Sequence, residues 1–355
     1  MQILEGSKAF MNDLESEALS AKERFYVQVM TFEGDSAGEQ LISLMLRSSA
    51  RKKCLLIDCY SKAVINDTFV FSIRYLKDPE FRKEVTNTRR LVKRAESNGI
   101  EVVFTNSLGF LGWRYPLRNH KKIVIVDNIS YLGGINFSDH NFCWHDMMVK
   151  LDYEKLSTIL VRDIHSTIKQ KNQSIVELID KNKLYLLNGS RSQEVYEEFF
   201  RNFRQAKSSI IIISPYVSNP MLSVLRDLSK EVEITIFTPE DNNKGIFKKA
   251  LLSANTDNRF KIIQLPGMTH MKAILIDDEQ FFFGSSNYDL ISYYFEQEVV
   301  FQMMDATLIN QFKSILERLL DSGSLVTDNP SNSPLIVKYL EWFCKIASRT
   351  ILRPQ

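Results

Sequence analysis

Two histidines in this chain stand in matching surroundings. His120-Lys121-Lys122 precedes the apolar run Ile123-Val124-Ile125-Val126, then Asp127, and further on Gly133-Gly134-Ile135-Asn136. His270-Met271-Lys272 precedes Ala273-Ile274-Leu275-Ile276, then Asp277, and further on Gly284-Ser285-Ser286-Asn287. Alternate residues of an extended chain point to one side, so each His-x-Lys sets an imidazole beside an ammonium. Each asparagine follows a Gly-containing turn, which permits close backbone approach and presents an amide donor. The chemistry that fits is displacement at a phosphodiester. Lysines and amides hold the non-bridging oxygens. One histidine attacks phosphorus and carries the phosphoryl group covalently. The other protonates the leaving alcohol and then activates the second acceptor. With lysines supplying the positive charge, this scheme calls for no metal and no other cofactor. The candidate catalytic residues are therefore His120, Lys122, Asp127, Asn136, His270, Lys272, Asp277 and Asn287, with Asp127 and Asp277 expected to fix the turn beside the motif.

These residues need a scaffold that occurs twice. Ile3–Phe10 resembles Leu186–Gln193 through a shared Gly-Ser, and apolar runs follow in both halves. In the first half they are Phe25–Met30, Cys54–Ile57 and Val102–Phe104; in the second, Ile210–Ile213, Val232–Phe237 and Lys261–Leu265. Short apolar runs bounded by turn signals read as buried strands. Residues 38–50, 78–98, 156–180 and 193–207 read as helices. Strands alternating with helices predict an α/β fold. The reading is two similar α/β domains with mixed sheets, packed around a pseudo-twofold axis with one shared active site. The expected boundaries are 1–180, 181–327, and 328–355 for a linker and C-terminal amphipathic helix. The Gly-Ser starts lie further apart than the motifs, so the first copy holds an insertion of roughly 30 residues, expected within Tyr60–Asn98.

Composition narrows the function classes. Lys+Arg is 45 and Asp+Glu 43, a net charge of +2, too balanced for nucleic-acid binding by bulk charge. The basic clusters Arg51-Lys52-Lys53, Arg89-Arg90 and Lys93-Arg94 read as polar faces or ends of helices. Four cysteines without metal-ligand spacing indicate neither a disulfide framework nor a zinc site. No secretory signal and no spanning apolar stretch is read.

The duplicated motif resembles that of the phospholipase D superfamily, over residues 3–325. The resemblance implies a carboxylate after each Gly-x-x-Asn element that holds a histidine in one tautomer. Asp146 and Glu298 occupy those places, and Asp289 and Ser292 match other polar positions. Glu296, Asp289 and His145 read either as part of that set or as loop charges. The family's usual nucleophile is the N-terminal motif's histidine, which points to His120; the internal symmetry leaves His270 open. The first copy has one residue fewer between Asp127 and its glycine pair, read as a shortened turn at Asn128-Ile129-Ser130.

Gly133-Gly134 in place of Gly-Ser, Thr31-Phe32-Glu33, Leu56–Ser61 and Trp144-His145-Asp146 are similar to the cardiolipin synthase branch. The loop Ser107–Pro116 carries Leu108, Phe110, Leu111, Trp113 and Tyr115 just before His120. It reads either as a contact for acyl chains or bilayer, or as a loop tucked under its own domain. Phe110, Trp113 and Ser285 are the candidate substrate-binding residues. Ile336, Tyr339, Leu340, Phe343, Ala347 and Ile351 fall on one helical face, with Lys338, Lys345, Arg349 and Arg353 supplying charge. That stretch reads as an interfacial helix or as one docked on the second domain. The resemblance implies a phosphatidyltransferase acting on a phosphatidylglycerol-like phospholipid, at the membrane surface on its cytoplasmic face. A phospholipase D hydrolase and a nucleic-acid phosphodiesterase are the alternatives. Nucleic acid is not the expected partner, and no obligate protein partner is implied.

Overall fold

The computed structural model describes residues 1–255, 257–327 and 335–350. The chain forms two compact units that divide between Asn172 and Gln173. The helix expected over 156–180 is Glu154–Ile168, and Ile175–Ile179 is instead a strand paired with Asn182–Asn188. Asp180, at φ 54, takes the left-handed conformation of the tight turn between them.

In the first unit the sheet order is Gln2–Glu5, Met147–Asp152, Ile129–Gly133, Ile123–Val126, Arg24–Val29, Lys52–Asp58, Glu101–Thr105. Arg24–Val29, Lys52–Asp58 and Glu101–Thr105 are parallel, while Ile123–Val126 runs antiparallel to Arg24–Val29. The second unit repeats this order with Asn182–Asn188, Gln297–Met303, Gln280–Gly284, Ala273–Ile276, Ser209–Ile213, Glu233–Pro239 and Lys261–Leu265. It adds Ile175–Ile179 at one edge and Ser324–Leu325 at the other. Both units are thus mixed α/β sheets flanked by helices.

Helices explain why the motif strands are apolar throughout rather than alternating. Phe10, Leu14, Leu41 and Met45, from the helices Gly6–Ser20 and Ser36–Arg47, pack with Val27, Leu55, Val124 and Val126. Leu156, Leu160 and Ile164 of Glu154–Ile168 are buried as well, on a helix that contacts Ile123–Val126 and Ile129–Gly133. In the second unit Phe282 packs against Phe199 and Phe203 of the helix Gln193–Arg204. Phe281 turns the other way, 4.5 Å from the Phe312 ring of Ala306–Ser322.

The extra length of the first copy is divided between two connections. Residues 59–100, against 240–260, hold the helices Tyr60–Ala63, Ile73–Lys77 and Pro79–Ser97 and a two-stranded ribbon. Residues 106–122, against 266–272, hold the loop before His120.

The helix Leu335–Thr350 contacts Leu290–Tyr294 of its own unit, and Asn219 Nδ2 donates to Glu341 Oε1 at 2.8 Å. Its buried stripe is Val337, Cys344, Ala347 and Ser348, whereas Tyr339 and Phe343 of the expected apolar face are exposed beside Trp342 and Ile346. Ile351, Arg353 and the expected linker lie outside the described residues.

Candidate active site

Each His-x-Lys enters its motif strand in the same way. Lys122 Nζ donates to the His120 carbonyl oxygen at 2.8 Å, and Lys272 Nζ to that of His270 at 2.5 Å. All four residues are buried. The residue between them faces the other way. Lys121 Nζ donates to both oxygens of Asp163, at 2.8 and 2.6 Å, on the helix Glu154–Ile168. In the second copy the same place holds a buried Met271.

Asp127 and Asp277 close the far ends of the motif strands. Asp127 accepts from the backbone N–H groups of Lys22, Glu23 and Arg24, each at 2.9 Å. Asp277 accepts from Lys207, Ser208 and Ser209, at 2.8, 2.8 and 3.0 Å. Burial acts to raise both carboxyls, but these N–H bonds outweigh it, so both sit below the ordinary aspartate value. Each clamps the start of the neighbouring strand, Arg24–Val29 or Ser209–Ile213.

The length difference between copies lies in the hairpin turn. Val126 pairs with Ile129 across Asp127-Asn128, and Ile276 with Gln280 across Asp277-Asp278-Glu279. The shortening is therefore at 127–128. Beyond it the registers agree, with Ile123 opposite Leu132 and Ala273 opposite Phe283. Gly133 and Gly284 follow, and a Cβ on either would lie 2.1 Å from a backbone oxygen, of Met147 or Val299.

The next position shows how the copies diverged. Gly134 N donates to Met147 O, and Ser285 N to Val299 O, so Asp146 and Glu298 occupy equivalent places. A Cβ on Gly134 would stand 2.4 Å from Asp146 Oδ1. Glu298 is one methylene longer and leaves room for Ser285, whose hydroxyl bonds its carboxylate. Ser292 Oγ holds the other oxygen at 2.8 Å and lies 3.1 Å from Glu296 Oε2. Ser285, expected to bind substrate, thus has its hydroxyl engaged with Glu298. Asp289 accepts from Ser292 N at 2.8 Å. Burial first, then the Glu296 carboxylate, push Asp289 up to about 7.

The asparagines differ too. Asn136 Oδ1 accepts from Thr31 N at 3.2 Å and its Nδ2 donates to Asn141 Oδ1 at 2.8 Å. Among the described residues, the buried Asn287 Oδ1 and Thr269 Oγ1 have no hydrogen-bond partner. His145 pairs with Glu5 at 2.8 Å, as a partly exposed loop charge would. Phe110 and Trp113 are exposed.

Sequence reasoning missed one positioning group. Asp58, ending its strand, grips the residues before His120: Arg118 Nη1 lies 2.5 Å from Oδ1 and Asn119 N donates to Oδ2 at 2.6 Å. Asn119 Oδ1 in turn accepts from Gln28 Nε2 at 2.9 Å. Complete burial pushes the Asp58 carboxyl up to about 7, against the pull of Arg118 and of backbone N–H groups. The available signal was a carboxylate at the C-terminal end of an apolar strand.

Residues 199–320 match the family model described as "Cardiolipin synthase, PLD-like domain". Cardiolipin synthase 1 of Staphylococcus epidermidis is 22% identical over 97% of this chain and 72% of its own length. The major cardiolipin synthase of Bacillus subtilis is 23% identical over 98% of this chain and 74% of its own. The chain is thus similar to cardiolipin synthases and carries a domain matching their phospholipase D-like family. A phosphatidylserine synthase from Haemophilus influenzae shares the fold, with a TM-score of 0.73 and 13% identity over 100% of this chain and 95% of that one. A polyphosphate kinase from Porphyromonas gingivalis reaches 0.59, at 14% identity over 98% of this chain and 56% of that one. This fold is therefore shared by a phosphatidylserine synthase and a polyphosphate kinase, and fold alone does not select a substrate.

Proposed function

We propose that the chain is a phosphatidyltransferase of the cardiolipin synthase type. The observation that carries this reading is the pair of buried His-x-Lys modules, each with its lysine turned back to its histidine's carbonyl, in a chain whose relatives are cardiolipin synthases. His120 attacks the phosphorus of a phosphatidylglycerol-like lipid, forming a P–N bond as the P–O bond to the leaving glycerol breaks. His270 protonates the departing oxygen. It then takes the proton of an incoming lipid hydroxyl, whose oxygen displaces the histidine and restores it. Lys122 and Lys272 offset the charge on the non-bridging oxygens. Asp146 and Glu298 hold histidine tautomers, as in triad logic. A phospholipid substrate calls for work at a membrane surface, which we take to be the cytoplasmic face; among the described residues no helix is long and apolar enough to cross a membrane.

The test uses phosphatidylglycerol in mixed micelles, mass spectrometry of the products, and the variants His120→Ala and His270→Ala. Cardiolipin plus glycerol from the wild type, lost in each single variant, supports the scheme. Were the two motifs independent sites, each variant would keep about half the turnover, and the scheme would fail. An acid-labile phosphoenzyme absent only from His120→Ala identifies the nucleophile. Phosphatidic acid as sole product makes the chain a hydrolase.

A further inference from the structure

We infer that residues 68–77 and 107–116, from the two enlarged connections of the first unit, form a docking surface for an anionic phospholipid bilayer; this rests on the lipid-transfer reading above. The first segment is Thr68-Phe69-Val70-Phe71-Ser72-Ile73-Arg74-Tyr75-Leu76-Lys77, and the second Ser107-Leu108-Gly109-Phe110-Leu111-Gly112-Trp113-Arg114-Tyr115-Pro116. Phe71, Leu76, Phe110 and Leu111 are 88%, 75%, 82% and 90% exposed, and Phe69, Ile73 and Trp113 are exposed as well. Single exposed apolar residues are ordinary, but a dense set on joined segments marks an interaction site. The segments are joined through rings: Phe69 and Tyr115 lie 5.6 Å apart, and Tyr60 and Tyr115 6.0 Å.

The backbone at the tip points the same way. Leu111 has φ 51, between Gly109 at φ 71 and Gly112 at φ 74. Leucine rarely adopts that left-handed conformation, and here its side chain gains no burial in return. Such a residue is a candidate for function. Charge selects the occupant. The two segments carry Arg74, Lys77 and Arg114 and no carboxylate of their own, although Arg74 pairs at 3.1 Å with Asp78 just past the first segment. The Arg114 guanidinium lies 5.5 Å from the Trp113 ring. An apolar tip edged by cations and aromatic rings suits an anionic headgroup layer over acyl chains. The second loop leads directly into Arg118-Asn119-His120, which brings a docked bilayer beside the first motif. The corresponding connections of the second unit, 240–260 and 266–272, are shorter.

The experiment sediments the full chain with vesicles of phosphatidylcholine, with and without phosphatidylglycerol. One variant carries Phe71→Ser, Leu76→Ser and Leu111→Ser; a second carries Arg74→Glu, Lys77→Glu and Arg114→Glu. Losing three apolar anchors should lower vesicle partitioning at least ~10-fold. The charge variant should lose binding only to phosphatidylglycerol vesicles. Melting temperatures check that both variants fold. Turnover of dispersed short-chain phosphatidylglycerol, measured alongside, should survive in the apolar variant while turnover on vesicles falls. Wild-type-like vesicle binding by folded variants overturns the surface, as does a wild type that turns over dispersed lipid and never sediments with vesicles. A wild type with no lipid turnover whose vesicle binding nevertheless depends on these side chains sinks the transferase reading and leaves the surface standing.

Discussion

Replacing Asp127 by Asn, and separately Asp277 by Asn, tests whether the motif aspartates clamp strands or take part in chemistry. Asp127 follows a strand of four residues that starts next to Lys122. At roughly 3.3 Å per residue, about 13 Å separates it from the histidine end. Its carboxylate accepts three backbone N–H bonds at the start of Arg24–Val29. Asparagine retains one acceptor oxygen and loses the charge. Two of the three bonds involve exposed groups that water can satisfy, so the net loss is about 2 kcal/mol rather than the full strength of charged bonds. For a unit of this size that is a fall of about 4–8 °C in melting temperature. The sign with pH follows from the lowered carboxyl. The stabilisation is complete above the unfolded value of about 3.9 and is lost as pH falls through the lower folded value. Wild type and variant should therefore converge in strongly acidic solution. Calorimetry across pH, with turnover measured per folded molecule, checks both halves. A variant that melts like wild type yet loses turnover by two orders of magnitude would refute the clamp.

Other expectations concern buried charge. Lys121→Met alone should cost about 3–5 kcal/mol, because it strands Asp163; Lys121→Met with Asp163→Leu should be near neutral, as the buried Met271 of the second copy suggests. Equal melting temperatures for the single and double variants in thermal unfolding would contradict this. Asp58→Asn should lower turnover at least ~10-fold by releasing Arg118 and Asn119 from the motif, while Asp58→Asn with Arg118→Met recovers stability but not rate. A raised carboxyl acts opposite to the clamps. Asp289, neutral in the folded state up to about 7, makes stability fall as pH rises from about 4 towards that value. Asp289→Asn should flatten that slope in urea titrations of the second unit; an unchanged slope counts against it.

The duplicated motif was legible because it combines chemistry-bearing residues with a local strand and turn, and each carries its own signal in sequence. The Gly6 and Gly189 match found the right strand but not the exact register: Gly6 N donates to Asp146 O, whereas Gly189 N donates to Glu296 O, two residues before Glu298, the equivalent of Asp146. What escaped depended on distant partners. Nothing near Arg118 announces that Asp58, sixty residues earlier, will bury against it. The insertion was read as one block because a length difference does not say where it is spent. On the C-terminal helix the hydrophobic pattern included the buried Ala347 but joined it to Tyr339 and Phe343, which are exposed, instead of to Val337, Cys344 and Ser348. The helix expected over 156–180 ran on because Ile175–Ile179 is apolar enough to continue either pattern, and only its partner strand decides.

The fit of Gly134 to Asp146, and of Ser285 to Glu298, bears on any attempt to exchange the two motifs. The two arrangements fill one volume in complementary ways. A serine placed at 134 would crowd Asp146, and a glycine placed at 285 would leave Glu298 with the Ser292 hydroxyl but without its second. The glycine belongs with the aspartate and the serine with the glutamate, so a motif grafted from one half to the other should be tolerated best when both members of a pair travel together.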